Sequence, residues 1–286
     1  MTELPVEISD EHSSIVGILR SNTKCSKLVI LLPAATGTRI GPQRIYVEIA
    51  RALLNINIAS FSIDLPPNGD SFDNGPGFPF TTYREYLNNH YRHNLDKVIN
   101  HFRKDSRYEE YILLSISVGC LPILQYAEMN HFSKVILLAP NLLDLGKRAI
   151  NKKNFRAYQE KLFHWQTWKK LFSLRLNVRN IINNVFNLSS VVAGKKHLST
   201  AARAPVEKKN VNILVVLGEH DVDLSKNQIY WGNKLTTKQC ASYTEVIIQG
   251  SDHSFFGWRF KEDVKKSIVG WLNARVSASR IIHSYS

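Results

Sequence analysis

Three residues whose types can cooperate in nucleophilic catalysis each stand just past an apolar run. Ser117 follows Tyr111-Ile-Leu-Leu-Ser-Ile116, Asp221 follows the run ending at Leu217 within Gly218-Glu-His-Asp221-Val-Asp223, and His253 follows the run 243–249 within Gly250-Ser-Asp-His253. A serine hydroxyl is a poor nucleophile at its own pKa and needs a base within hydrogen-bond reach. A histidine can take that proton and return it to a leaving group, while a carboxylate on its other nitrogen holds the ring and stabilises the imidazolium. A helical pattern begins directly after Ser117, so the chain turns from strand to helix with no ordinary loop between them. A residue at such a corner is strained and exposed, and its neighbours two before and two after must be small. Ser115 and Gly119 meet that demand. Plainer readings stand beside these: Ser117 as a helix N-cap, His253 as a loop histidine capping the last helix, and Asp223 as a rival to Asp221 for the acid.

The elements that must position these residues are legible as alternation. Mainly apolar runs at 14–20, 27–33, 57–63, 111–116, 134–139, 211–217 and 243–249 read as strands, and 27–33 and 134–139 are apolar at every position after an opening lysine, the mark of burial on both faces. Helical patterns occupy about 43–54, 83–103, the stretch after Ser117, 224–236 and 256–275. The Pro-, Gly- and Asn-rich stretch 64–79 reads as loop. Strand and helix alternating at this spacing predict an α/β protein with a doubly wound, mostly parallel sheet. In such sheets functional groups gather at the carboxyl ends of strands, where all three residues fall. From Pro140 to about Pro205 the alternation stops, giving a division into a core of 1–140 and 206–286 and a basic helical cap at 141–205.

Composition narrows the classes. With 44% hydrophobic and 21% charged residues over 286 positions, the chain has the make-up of a globular protein, and no apolar run approaches the roughly 20 residues needed to cross a bilayer. The opening Met1-Thr-Glu-Leu-Pro-Val-Glu lacks an apolar signal-like segment, and Cys25, Cys120 and Cys240 are odd in number and far apart. A reducing cytoplasm fits these features, and no metal or cofactor site is expected. Cys120 reads as a small packing residue rather than a nucleophile. The net charge of +13 is concentrated: residues 141–210 carry 15 Lys and Arg against Asp144, Glu160 and Glu207, while the remainder is nearly neutral. Such a field attracts anionic partners, yet no recognition motif accompanies it, so nucleic acid is not expected.

These motifs resemble those of the α/β-hydrolase superfamily. Ser115-Ile-Ser117-Val-Gly119 is similar to its G-x-S-x-G nucleophile elbow with the first glycine replaced, and Ser, Asp and His follow in the family's chain order. Asp64-Leu-Pro-Pro-Asn-Gly69-Asp70-Ser71 resembles its D-x-R-G-x-G-x-S loop, with proline at the Arg and first Gly positions, and Pro33-Ala34-Ala35 stands where His-Gly is usual. The resemblance covers about 14–140 and 205–275. It implies Ser117 as nucleophile, His253 as base, Asp221 as acid, and the amides of Val118 and Ala35 as the oxyanion hole.

The resemblance also implies that the insertion covers the site and sets the substrate. There Trp165, Trp168 and Phe172 give one helix an apolar face and Lys161, Lys169, Lys170 and Arg175 a basic one. The expected activity is hydrolysis of a small-molecule acyl ester or thioester through an acyl-enzyme, with an acidic carrier protein, coenzyme A or an anionic lipid or membrane surface as the anionic partner. An acyltransferase, or a hydrolase-fold protein that binds without catalysis, is the alternative. Arg39 and Arg44 lie near the oxyanion turn, with surface solvation or a substrate carboxylate as their readings. Oligomeric state is not legible.

Overall fold

Apolar residues at successive positions make a strand that can be covered on both faces, and four such runs form the centre of the sheet. They are β3 (Lys27–Leu32), β6 (Glu110–Ile116), β7 (Lys134–Leu138) and β8 (Asn212–Gly218). The structure, a computed structural model, describes residues 2–34, 37–73, 83–130, 132–141, 211–225, 227–228, 242–274 and 281–285, with the backbone alone at 83–89 and 281–285. The chain divides into two units, Met1–Leu142 with Pro205–Ser286, and Leu143–Ala204. The second unit, and with it nearly all of the expected cap, lies outside the described residues.

Around that centre stand β1 (Thr2–Ser9), β2 (Ser13–Ser21), β4 (Ala59–Ile63), β5 (Phe72–Asp73), β9 (Ser242–Ile248) and β10 (Ile281–Tyr285). The sheet order is β1-β2-β4-β3-β6-β7-β8-β9-β10, with β5 pairing only with β2. From β4 to β10 every neighbouring pair is parallel, while β2 runs antiparallel to β1, β4 and β5. The mostly parallel α/β sheet read from the sequence is thus the observed one. Two edge strands, β1 and β10, are additions to that reading. The stretch 64–79 is not wholly irregular either, because Ser13 and Ser14 pair with Asp73 and Phe72. Strand β4 starts at Ala59 rather than at residue 57 because Asn57 takes φ 56, a left-handed conformation that ends extended pairing.

Helices α1 (Ile45–Asn55) and α4 (Trp258–Asn273) pack against each other and share one core with the strands. Ile45, Ile49 and Leu53 of α1 and Val264, Ile268 and Leu272 of α4 meet Val29, Leu31, Leu114, Ile136 and Val216 there. Helices α2 (Tyr83–Phe102) and α3 (Cys120–Met129) pack on each other, and α3 lies on β6 and β7. Proline has no backbone N–H to donate, yet Pro122 takes no bond from the helix after Ser117. It sits in the first turn of α3, where amides have no intrahelical acceptor. The helix expected over 224–236 falls mostly outside the described residues. Among the described residues no helix is long and apolar enough to cross a membrane.

Candidate active site

Strand β6 delivers its last residue, Ile116, in extended conformation, and Ser117 then takes φ 56 before a single 3-10 turn, Ser117–Gly119, leads into α3. A non-glycine residue in this region is strained and persists only where its surroundings fix it. The surroundings do so here. The amide of Asn141, just past β7, donates to the Ser117 carbonyl at 3.1 Å. Gly119 faces a space closed by Ser115 Oγ, Tyr91 Oη and the Pro33 carbonyl, and a Cβ there would overlap the Ser115 hydroxyl and meet the other two at 2.9 and 3.0 Å.

Serine at 115 is accommodated because its hydroxyl has an acceptor. Fully buried, it donates to the Leu32 carbonyl of β3 at 2.9 Å, an oxygen that also accepts the Tyr46 hydroxyl at 2.6 Å. Tyr91 in turn donates to the Pro33 carbonyl. Cys120 is buried beneath the corner, where its thiol meets the carbonyls of Ser115 and Leu138 at 3.2 and 3.5 Å. Burial pushes that thiol well above its ordinary pKa, so it packs and does not act as a nucleophile.

The loops after β8 and β9 are tied to each other before they present any side chain. Glu219 N–H donates to Ile248 O at 3.0 Å, His220 N–H to Ser251 O at 2.8 Å, and Gly250 N–H to the Glu219 carboxylate at 2.8 Å. Glycine at 218 is required by this approach, since a Cβ would collide with the carbonyls of Ser251 and Asp252. Asp252 Oδ1 accepts the amides of Ser254 and Phe256 at 3.0 and 3.1 Å, and buried Phe255 anchors the loop. Asp252 and His220 are themselves exposed.

Held this way, the side chains of Ser117, His253 and Asp221 form one hydrogen-bonded chain. His253 Nε2 lies 2.9 Å from Ser117 Oγ, and His253 Nδ1 lies 3.0 Å from each oxygen of Asp221. A carboxylate only accepts, so the proton belongs on Nδ1 and the Nε2 lone pair faces the serine hydroxyl. Asp221 is buried and its Oδ1 also accepts the Asp223 amide at 2.8 Å. The hydrogen bond to Asp221 is the main reason the His253 pKa is raised; burial opposes it, and the charges of Asp221, Asp223 and Asp252 reinforce it. Asp221, and not Asp223, therefore carries the bond to the ring.

Val118 follows Ser117 in the 3-10 turn, which puts its amide at the positive end of the α3 dipole. Ala35 lies outside the described residues, as do Trp165, Trp168 and Phe172. Among the described residues, one group of His and acidic side chains has ligand atoms within 4.8 Å of one another, namely Asp221, Asp223 and His253. Two of its members, His253 and Asp221, already bond each other. Arg39 holds no open position for a substrate carboxylate and is not simply solvated: its guanidinium pairs with Asp64 and Asp70. Arg44 is exposed at the start of α1.

No family model matches the chain, and no curated protein does. Solved structures do. The Pyrococcus furiosus esterase Pf2001 superposes with a TM-score of 0.63 over 95% of this chain and 90% of its own, at 15% identity. Est1E from Butyrivibrio proteoclasticus with ferulic acid bound gives 0.60 over 93% and 97%, at 16% identity. The chain has the α/β-hydrolase fold. A dienelactone hydrolase from Anabaena variabilis gives a TM-score of 0.57 over 95% and 96%, at 14% identity. Identities this low make the likeness one of fold.

Within the α/β-hydrolase fold, the residues missed from sequence are those that brace the site from a distance. Tyr46 and Tyr91 hold the carbonyls at the end of β3, and nothing in their own helical patterns signals it. Asn227 is buried and donates to the carbonyls of Pro140 and Asp223 at 2.7 and 3.1 Å, tying the loop that carries Asp221 to the end of β7.

Proposed function

We propose that this chain is a serine hydrolase cleaving a carboxylic ester or thioester through an acyl-enzyme on Ser117. The observation that carries the reading is the Ser117 hydroxyl 2.9 Å from a histidine nitrogen whose ring is oriented by a buried carboxylate. His253 takes the Ser117 proton as Oγ attacks the acyl carbon, and returns it to the departing alcohol or thiol. Water then repeats the sequence on the acyl-enzyme. The amides of Val118 and Ala35 are assigned to the developing oxyanion, where one donor contributes about 2.7–4 kcal/mol in comparable sites. The solved structures of like fold include named esterases and a named dienelactone hydrolase, which supports ester chemistry. Beside the site, Val222 next to Asp221 is 80% exposed, and Phe256 and Trp258 beyond His253 are 68% and 77% exposed. Exposed apolar side chains this close in sequence to Asp221 and His253 favour a substrate with a hydrophobic part. The expected result is stoichiometric labelling of Ser117 by a fluorophosphonate, read by peptide mass, and hydrolysis of p-nitrophenyl esters. Absence of both overturns the reading.

The segment 141–210, with 15 basic and three acidic residues, favours an acyl donor with an anionic handle: a carrier-protein or coenzyme A thioester, or an anionic lipid. Its attraction weakens as the Debye length contracts to about 8 Å at physiological salt. For an acyl-CoA, kcat/KM is expected to fall steeply with salt, while a neutral ester of the same acyl chain stays flat. Equal, flat responses would return the function to a plain esterase.

A further inference from the structure

A carboxylate without solvent needs partners that replace water, and Asp64, at the end of β4, is fully buried. Two loops supply those partners. From the loop after β3, the Arg39 amide donates to Asp64 Oδ1 at 2.6 Å and its guanidinium pairs with Oδ2. From the loop after β4, the Asp70 amide donates to Asp64 Oδ2 at 3.1 Å, and the Asp70 carboxylate takes the other arm of the same guanidinium. Gly69, at φ 61, lies so close that a Cβ would overlap the Asp64 carboxylate. Ser71 completes the mount, donating to the Asp64 carbonyl at 2.9 Å and accepting the Val16 amide of β2 at 2.7 Å. The loop after β4 is therefore fixed to the sheet, and Arg39 is fixed to that loop.

The other end of the loop after β3 is fixed at the nucleophile corner. The Pro33 carbonyl faces Gly119 and accepts the Tyr91 hydroxyl, and the Gly37 amide donates to Ala34 O at 2.6 Å. The chain between these two anchors is where the hydrolase reading puts its second oxyanion donor. In the motif that Asp64–Ser71 resembles, an arginine stands two residues after the aspartate. Here that position is Pro66, and the arginine comes from the neighbouring loop.

We propose that Arg39 is a positioning residue, whose guanidinium bridge between Asp64 and Asp70 sets the backbone of the loop after β3 in register with Ser117. The inference rests on the serine-hydrolase reading above. Donors to a developing oxyanion act only if placed beforehand, and a displacement of about 1 Å can cost on the order of 10²-fold in rate. Arginine is required because a planar fork can serve two carboxylates at fixed angles, whereas a lysine is a single point charge.

The test compares Arg39→Gln, Arg39→Lys and Asp70→Asn with the unaltered protein. Arg39→Gln is expected to lower kcat about 10- to 100-fold with KM changed by less than about 3-fold, and Arg39→Lys to fall between. Asp70→Asn cuts only the outer arm, at a side chain that is 64% exposed, so it keeps the fold even if Arg39→Gln does not. It is expected to lower kcat a few-fold and to add nothing in the Arg39→Gln background. Hydrogen exchange supplies a readout independent of turnover: peptides covering 33–41 should exchange faster in both variants while those of β6, β7 and β8 stay protected. Unchanged kcat and unchanged exchange in Asp70→Asn and Arg39→Gln overturn the proposal, as does a loss of protection spread evenly over the sheet. If the unaltered protein neither labels at Ser117 nor hydrolyses esters, the hydrolase reading fails, and the exchange at 33–41 still decides whether the bridge holds the loop.

Discussion

Ser117→Ala is expected to lower kcat by about 10⁴- to 10⁶-fold, and His253→Ala to be as severe, because neither group retains its function once the other is gone. For the same reason the double variant should be no worse than either single one. The fold should survive both changes. The Ser117 hydroxyl bonds His253 Nε2, and its loss leaves a half-buried imidazole nitrogen open to water rather than a cavity in the core. The backbone at 117 keeps φ 56, which alanine bears no better and no worse than serine, so the strain is common to both proteins. The check is kcat on a p-nitrophenyl ester beside the thermal midpoint of each variant. Residual activity within about 100-fold of the unaltered protein would take Ser117 out of the nucleophile's role.

What the sequence disclosed and what it hid follow from the range of the interactions involved. The central strands announce themselves because burial on both faces leaves no polar position in β3 beyond Lys27 or in β7 beyond Lys134. The convergence of Ser117, Asp221 and His253 was legible for a related reason: each follows a strand, β6, β8 or β9, and parallel strands bring their carboxyl ends to one edge. The edge strand β1 carries Glu3, Pro5 and Glu7 and is exposed along most of its length, so its own residues do not call for a sheet; pairing with β2 supplies it. The braces were hidden because they join distant positions. Tyr91 reaches Pro33, Asn227 reaches Pro140, and Arg39 reaches Asp64, contacts that no local periodicity encodes. Arg39 is the instructive case. Near an oxyanion turn an arginine reads as surface or as substrate clamp, and only the burial of Asp64 explains why it is neither.

Asp221→Asn is expected to lower kcat by about 10³- to 10⁴-fold, against less than about 10-fold for Asp223→Asn. Both oxygens of Asp221 face His253 Nδ1, so the carboxylate fixes the proton on that nitrogen and leaves Nε2 free to act as base. An asparagine can present its amide N–H to Nδ1 instead, which stabilises the wrong tautomer and turns Nε2 into a donor toward Ser117. The pH profile adds a second signature. His253 must be neutral to accept the serine proton, and its pKa is raised above the ordinary 6.5, chiefly by the hydrogen bond to Asp221. A raised pKa keeps the ring protonated to higher pH, so kcat/KM should begin to fall, on acidification, above the pH at which an ordinary histidine would titrate. In Asp221→Asn that acidic limb should move down, because the carboxylate hydrogen bond that chiefly raises the pKa is gone; in Asp223→Asn it should move down less, since the charge of Asp223 is a smaller contribution. The measurement is kcat/KM across pH for the three proteins on one neutral ester. A larger loss in Asp223→Asn, or an acidic limb that moves up when Asp221 is replaced, would transfer the acid's role to Asp223.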